Sequence, residues 1–204
     1  MLRDENDAKA YVTSLTEDGG LQRLEILASE LIKENARQNL ISKPSECQIW
    51  RRHIADSAQL LEYVPRETLS GPWLDLGTGA GFPGLVIAAL QPSCEVVLVE
   101  SRARRVAWLK RACTAMSLEN VRIEGKRLEV VKPFDAAVIS ARAFAPLEKL
   151  LRLSSPFSTK HTYYVLPKGR SAAQELAAMP RKIREMFHVE QSLTDPDAGI
   201  IVSR

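Results

Sequence analysis

Four groups of residues in this chain have the types and spacing to do chemistry. The first is the stretch Trp73 to Gly84, WLDLGTGAGFPG, in which Asp75 leads into Gly77, Gly79, Gly81 and Gly84. Glycines that dense let a backbone bend through positive φ and come close to a ligand with no Cβ in the way. An apolar run precedes them, LVIAAL follows them, and Pro83 stands where a first helical turn tolerates proline. The stretch therefore predicts strand, glycine loop and helix, a turn that holds nucleotide cofactors. The second group is Glu100, which ends the next predicted strand and can accept hydrogen bonds from both ribose hydroxyls. A solvated surface acid is the alternative. The third is the turn Gly125-Lys126-Arg127-Leu128-Glu129, where the Leu128 N–H and the Glu129 carboxylate could meet an adenine edge. An exposed charged turn would look the same. The fourth is the pair Arg142 and Lys168, at the ends of two later strands.

The glycine stretch has two registers, and they imply different cofactors. From Gly79 the letters GAGFPG satisfy the dinucleotide pattern GxGxxG, and Glu100 suits NAD as well as any other nucleoside. Read as Asp75, Gly77, Gly79, Gly81, the stretch is an acid followed by alternating glycines. A pyrophosphate would be repelled by a carboxylate placed where the helix N-terminus is meant to hold an anion. S-adenosylmethionine has no phosphate, and an acid favours its sulfonium and ammonium. The acid-led register points to the methyl donor; the other reading of Asp75 is a cap on neighbouring loop N–H groups.

The fourth strand ends in Ser140-Ala141-Arg142-Ala143-Phe144. It lacks the Asn/Asp-Pro-Pro-aromatic motif of many amino methyltransferases, and no Pro-Cys pair supplies a thiolate for pyrimidine C5 chemistry. A target that already exposes a lone pair, such as guanine N7, needs neither. It needs orientation, which can account for roughly 7–11 kcal/mol of barrier. Arg142 and Lys168 fall on the cleft side of the sheet. They could hold phosphate oxygens, hydrogen-bond guanine O6 or, for Arg142, touch the methionine end of the cofactor. Ordinary surface cations are the alternative. Basic residues also cluster at Arg102, Arg104, Arg105, Lys110 and Arg111, at Lys126 and Arg127, at Lys168 and Arg170, and at Arg181, Lys182 and Arg184. Arg51 and Arg52 lie on the N-terminal side. A charge run is usually a solvated face, but clusters on successive segments around one cleft fit a grip on RNA phosphates.

These residues need a scaffold. At 204 residues, 45% hydrophobic and 26% charged, the chain has the composition of a soluble globular domain plus an extension. No apolar segment approaches the roughly 20 residues of a membrane span, and MLRDENDAK lacks a signal-peptide core. Three scattered cysteines and three histidines indicate neither a disulfide framework nor a metal site, so a reducing cytoplasm is expected.

Residues 1 to about 62 are expected to be helical throughout. Leu21, Leu24, Ile26, Leu27, Leu31 and Ile32 recur at near-helical spacing, and the pattern fades near Gln38 and Asn39. Ser45 and Gln48 fit a capping box for a second helix. On it Trp50, Ile54, Ala58 and Leu61 form an apolar stripe beside a polar strip of His53, Asp56 and Ser57. That strip is either plain helix surface or a group that faces the cofactor cleft or anchors the loop carrying Asn39. From Pro72 the pattern alternates between strands and helices, as a parallel sheet with crossovers does. Strands are expected in the apolar run that opens the stretch at Trp73, and at Glu95–Val99, Val121–Glu124, Asp135–Ile139, Thr162–Leu166, Phe187–Ser192 and Gly199–Val202. Helices are expected at 102–116 with Ser101 as cap, after Pro146, and at 171–178 behind a Ser171/Gln174 capping box.

Several of these motifs together resemble the RsmG family, once called GidB. They are Asn39-Leu40-Ile41, Arg52-His53-Ile54-x-Asp56-Ser57, Leu74 to Gly84, Glu100-Ser101, Arg142-Ala143-Phe144-Ala145 and Lys168-Gly169. The resemblance implies a bacterial enzyme that methylates guanine N7 in a decoding-region loop of small-subunit (16S) ribosomal RNA. It also implies an α/β fold, the class I SAM-dependent methyltransferase with a mostly parallel seven-stranded sheet. A helical N-terminal extension, 1–66, would pack on a core at 67–204, the whole forming one structural domain. Carried over by motif, Gly77 and Phe82 would line the cofactor pocket, beside the Asp75 and Gly79 already read from the stretch itself. Glu100 would hold the ribose, Leu128 and Glu129 the adenine, and Arg142 the active-site end. Arg142 and Lys168 would be the catalytic pair, with Lys168 on the RNA side. The enzyme is expected to be a cytoplasmic monomer without metal. A small-molecule methyltransferase, or a cofactor-binding protein without catalysis, are the competing classes.

Overall fold

The computed structural model describes residues 1–16 and 19–204; Glu17 and Asp18, within the stretch expected to be helical, lie outside the described residues. Two helices open the chain, α1 (Glu5–Ser14) and α2 (Gly20–Asn35). The amphipathic pattern read around Leu24 belongs to α2, whose Leu24, Leu27 and Leu31 are fully buried. The Asn35 side chain stops the chain from running on. Its oxygen accepts from the N–H groups of Leu40 and Ile41, and its amide donates to the Ile41 carbonyl.

The next segment is less regular than the sequence predicts. A 3₁₀ turn over Lys43–Gln48 leads into a π-helical stretch over Trp50–Ala55, then α3 (Asp56–Ala58) and a second 3₁₀ turn over Gln59–Tyr63. The Ser45 capping box does not form, because the Ser45 hydroxyl donates to the Ser42 carbonyl at 2.8 Å. π-turns are rare and recur at functional sites. Here the wide turn carries Arg52 and His53 and ends at Asp56.

The sheet follows: β1 (Trp73–Leu76), β2 (Val96–Val99), β3 (Val121–Glu124), β4 (Val138–Ser140), β5 (Tyr163–Gly169), β6 (Phe187–Gln191) and β7 (Gly199–Ser203). Their order is β3-β2-β1-β4-β5-β7-β6, parallel from β3 to β5 and antiparallel at β7. Helices α4 (Gly84–Leu90), α5 (Ala103–Ala115), α6 (Leu147–Ser154), α7 (Ala172–Ala177) and α8 (Arg181–Arg184) connect the strands. Side chains along a strand alternate between faces. Trp73, Val96 and Leu98 therefore enter one core with α4, α5 and the N-terminal helices. Leu74, Leu76, Val97 and Val99 enter a second core with residues of α6 and α7. Both faces of the inner strands β1, β2 and β4 are covered, which explains their mostly apolar sequences, whereas the partly buried edge strand β3 alternates as Val-Arg-Ile-Glu.

Strand order reverses between β1 and β4, and that switch point is where open α/β sheets bind ligands. Its geometry is set by a buried polar chain. Trp73 Nε1 donates to Ser140 Oγ at 2.8 Å, and Ser140 Oγ donates to Asp75 Oδ1 at 2.9 Å. Asp75 Oδ2 accepts the Gly84 N–H at 3.0 Å. Asp75 thus ties β1 to β4 and to the start of α4 with no exposed surface at all. Burial pushes its carboxyl above the usual carboxylate range, opposed by these hydrogen bonds. Removing the side chain would strand two buried donors, each costing about 1–3 kcal/mol. Asp75→Ala is therefore expected to lower unfolding stability by about 2–6 kcal/mol, read as a reduced urea midpoint at unchanged slope. An unchanged midpoint would deny the carboxylate this role.

Candidate active site

The bend after β1 runs through positive φ at Gly77 (+64°) and Gly79 (+59°). At Gly77 a Cβ would lie 2.5 Å from the Phe144 ring, so this glycine admits the aromatic of the loop after β4. At Gly79 the surroundings are open, the nearest neighbours of a Cβ being Arg105 Nη1 at 3.5 Å and the Gly77 carbonyl at 3.7 Å. The same Arg105 nitrogen lies 3.5 Å from Glu100 Oε2. The Arg105 guanidinium therefore lies between the glycine bend and the acid at the end of β2.

Glu100 is almost fully buried, and its Oε1 accepts the Arg102 N–H at 2.8 Å. It takes the place expected of Ser101 at the start of α5, where the structure shows no side-chain cap. That N–H fixes the carboxylate's orientation and leaves Oε2 facing the cation. On the neighbouring strand end, Leu128 starts a 3₁₀ turn over Leu128–Val130. Its side chain is buried in the second core, while Glu129 is exposed. The Leu128 N–H has no backbone acceptor among the described residues, as expected at the first residue of such a turn. Leu128 can therefore serve a ligand through its backbone only.

Two of the expected residues have side chains that the protein itself engages. Asp75 does not reach a ligand directly, because both its oxygens are engaged inside the protein; it acts by shaping the bend. Phe82 is 2% exposed and lies between the His53 ring, at 5.2 Å, and the Arg142 guanidinium, at 5.0 Å. It is a seat for those two side chains.

Beside the bend, over the ends of β4, β5 and β7, opens a cleft of about 750 Å³ whose lining includes Arg52, His53, Asp56, Arg142, Lys168 and Glu175. The sequence reading of His53 and Asp56 as cleft residues corresponds to this placement. Each cation of the cleft has an acid. Arg142 Nη1 lies 3.7 Å from Asp56 Oδ2, Arg52 Nη1 2.9 Å from Asp195 Oδ2, and Lys168 Nζ 2.9 Å from Glu175 Oε2. Asp56 Oδ1 also accepts from Gln59 Nε2 and Thr194 Oγ1, and Gln59 Oε1 accepts the Leu193 N–H. These bonds stitch the N-terminal helices to the turn before β7. Lys168, expected as a free RNA contact, has a side chain only 7% exposed. It is not an ordinary surface cation: it pairs with Glu175 in the cleft, and the Ala145 carbonyl accepts from Nζ at 2.6 Å.

Glu175, Asp195 and Thr194 were not legible as site residues. The Ser171/Gln174 box obscured Glu175: Ser171 Oγ donates to Glu175 Oε1, four residues on. The i,i+4 spacing of Ser171 and Glu175 was the available signal.

His53 offers a titration test. Its Nε2 lies 3.0 Å from Ser45 Oγ, and Ser45 already donates its proton to the Ser42 carbonyl, so Nε2 carries the hydrogen. Burial, reinforced by Arg142 and Arg52, holds the imidazole down at about 3. A histidine that protonates near 6.5 when unfolded but not when folded contributes stability above that pH and loses it as pH falls. Between pH 6.5 and 5 the wild-type chain is expected to lose up to about 2 kcal/mol relative to His53→Gln, measured by urea unfolding at each pH. Parallel curves for the two proteins would contradict the buried, neutral state.

Glu100, beside the bend, is held ready for the hydroxyl donors of a nucleoside, and the bend itself is built on a second, buried acid. Comparison with known proteins separates the cofactor classes. A family model described as GidB, rRNA small subunit methyltransferase G, matches residues 20–196. Ribosomal RNA small subunit methyltransferase G of Erythrobacter litoralis is 57% identical over 204 residues, spanning 100% of this chain and 98% of that one. A methyltransferase from Geobacter sulfurreducens superposes with a TM-score of 0.59 at 11% identity, over 88% of this chain and 90% of that chain. A mutant of MtNAS, solved in complex with S-adenosylmethionine, gives 0.54 at 12% identity, over 98% of this chain and 77% of that chain. At such identities these two structures speak for the fold alone, that of the class I methyltransferases. The chain belongs to the GidB family, rRNA small subunit methyltransferase G, whose cofactor is S-adenosylmethionine.

Proposed function

We propose that this protein transfers a methyl group from S-adenosylmethionine to N7 of a guanine in 16S ribosomal RNA, by direct in-line attack and without a covalent enzyme intermediate. The observation that carries this reading is the charge-balanced cleft beside the glycine bend, in a chain of this family. Nothing lining the cleft is a thiol. Burial pushes Cys94 and Cys113 up to about 11, so neither is a thiolate at neutral pH. The acids Asp56, Asp195 and Glu175 are committed to cations, and His53 is a neutral imidazole seated on Phe82. Such a lining is poor at removing a proton from an exocyclic amine. It is adequate for a ring nitrogen that already carries a lone pair.

When bound, S-adenosylmethionine supplies an electrophilic methyl on a sulfonium. Gly77, Gly79 and the face of the bend over Phe82 would hold it, with Glu100 at the ribose and the Leu128 N–H at the adenine. Arg142, between Phe82 and Asp56, would orient the groups at the transfer point. Its charge is offset by Asp56, so it does not oppose the positive charge that builds on the guanine. Placing nucleophile and methyl in line can supply roughly 7–11 kcal/mol, which spares the site a general base.

RNA phosphates would be met outside the cleft. Arg102, Arg104, Lys110 and Arg127 are exposed and have no acid within salt-bridge distance among the described residues. In this reading residues 1–66 are an extension of the 67–204 core, sharing its hydrophobic interior, and the protein works as a cytoplasmic monomer without metal on the small subunit. Mass mapping of ribosomal RNA from cells with and without this protein tests the proposal. It predicts the loss of one 7-methylguanosine from 16S RNA; an unchanged map would reject it.

A further inference from the structure

We propose that Glu175, acting through Lys168, is a positioning residue that clasps the loop carrying Arg142 and Phe144 between the glycine bend and the cleft. The inference rests on the methyl-transfer reading above. Lys168 on β5 donates from Nζ to the Ala145 carbonyl at 2.6 Å and pairs with Glu175 Oε2 at 2.9 Å. Glu175 on α7 also accepts the Leu147 N–H at 2.8 Å, through the same Oε2. Its other oxygen accepts from Ser171 at 2.7 Å. The pair therefore grips the chain on both sides of Pro146, one residue before it and one after.

The gripped loop is the wall between cofactor and substrate. It leaves β4 at Arg142, whose guanidinium rests on Phe82 and faces Asp56. It then passes Ala143, a non-glycine residue at φ +52°, before Phe144 lays its ring against Gly77. A side chain at that φ is uncommon and persists only where the surroundings over-determine it. Asp56 and Phe82 fix the loop at its start, and Glu175 with Lys168 fixes its end. Two of the three ammonium donors of Lys168 are spent on these partners, so its charge works inward.

Two readings of Lys168 make opposite predictions for Glu175. If Lys168 grips RNA directly, removing Glu175 frees a cation and should tighten RNA binding. If the pair clasps the loop, removing either partner misplaces Arg142 and Phe144, and kcat falls while RNA affinity stays. The test uses the full-length chain with labelled S-adenosylmethionine and small ribosomal subunits lacking the modification, comparing wild type, Glu175→Ala, Lys168→Ala and the double variant. Each single variant should lower kcat roughly 10- to 100-fold, the scale of a small misplacement at the reacting atoms. KM for the subunit and the salt dependence of RNA binding should not change, and the double variant should be no worse than the weaker single one.

Three results would overturn the proposal: additive losses in the double variant, tighter RNA binding in Glu175→Ala, or a salt slope flattened by about 0.7–0.9 in Lys168→Ala. Should Glu175→Ala fail to fold, Glu175→Gln decides. A lowered kcat at near-native melting temperature supports the clasp, and wild-type kcat refutes it. If the wild-type chain itself transfers no methyl to the subunit, the methylation reading fails; if only the variants behave as wild type, the clasp alone fails.

Discussion

A single buried carboxylate governs the geometry of this protein's functional end. Asp75 has no access to solvent, and it holds Ser140 of β4 and the first residue of α4 at the point where β1 gives way to the glycine bend. An ionisable group in such a place is tolerated only when its hydrogen bonds are complete. That requirement fixes β1, β4 and α4 relative to one another, and so fixes the width of the crevice at the switch point. The bend, the Phe144 ring on Gly77 and the Arg142 seat on Phe82 all inherit their positions from it.

Charge in the cleft is arranged on the same principle. Arg52, Arg142 and Lys168 are each matched by an acid from another element, Asp195, Asp56 and Glu175 respectively. A half-buried cation without a partner would carry a desolvation cost, and paired it becomes a structural link. The links run between parts far apart in the chain: the N-terminal helices, the loop after β4, α7 and the turn before β7. Substrate orientation in such a cleft depends on shape and on a few held dipoles, and attraction of a polyanion falls to the unpaired cations farther out.

Much of this was legible from the sequence because its signals are local. Most of the strands are apolar runs, β3 and β6 at the sheet edges alternate apolar with polar residues, and the glycine bend and Glu100 follow from spacing alone. What was not legible depends on partners distant in sequence. For Asp75 the sequence leaves two readings, an acid beside the cofactor's cationic groups and a cap on loop N–H groups; the Gly84 N–H fits the second, and the bond that buries the acid comes from Ser140, far along the chain. Lys168 is legible as a cleft residue, but its pairing is not, because the acid lies on the next helix. The two capping boxes failed where a serine hydroxyl had a better acceptor close by, the Ser42 carbonyl for Ser45 and the Glu175 carboxylate for Ser171. The π-turn that presents His53 and Asp56 has no known sequence mark beyond their spacing.

The central claim is that an acid-built bend and Glu100 form a site for S-adenosylmethionine and not for a dinucleotide. Titration calorimetry of the wild-type chain and Glu100→Ala, with S-adenosylmethionine and with NADH, tests it most directly. The account predicts binding of S-adenosylmethionine alone, weakened by about 1.5–3 kcal/mol when the Glu100 carboxylate is removed. Binding of NADH, or an affinity for S-adenosylmethionine indifferent to Glu100, would contradict it.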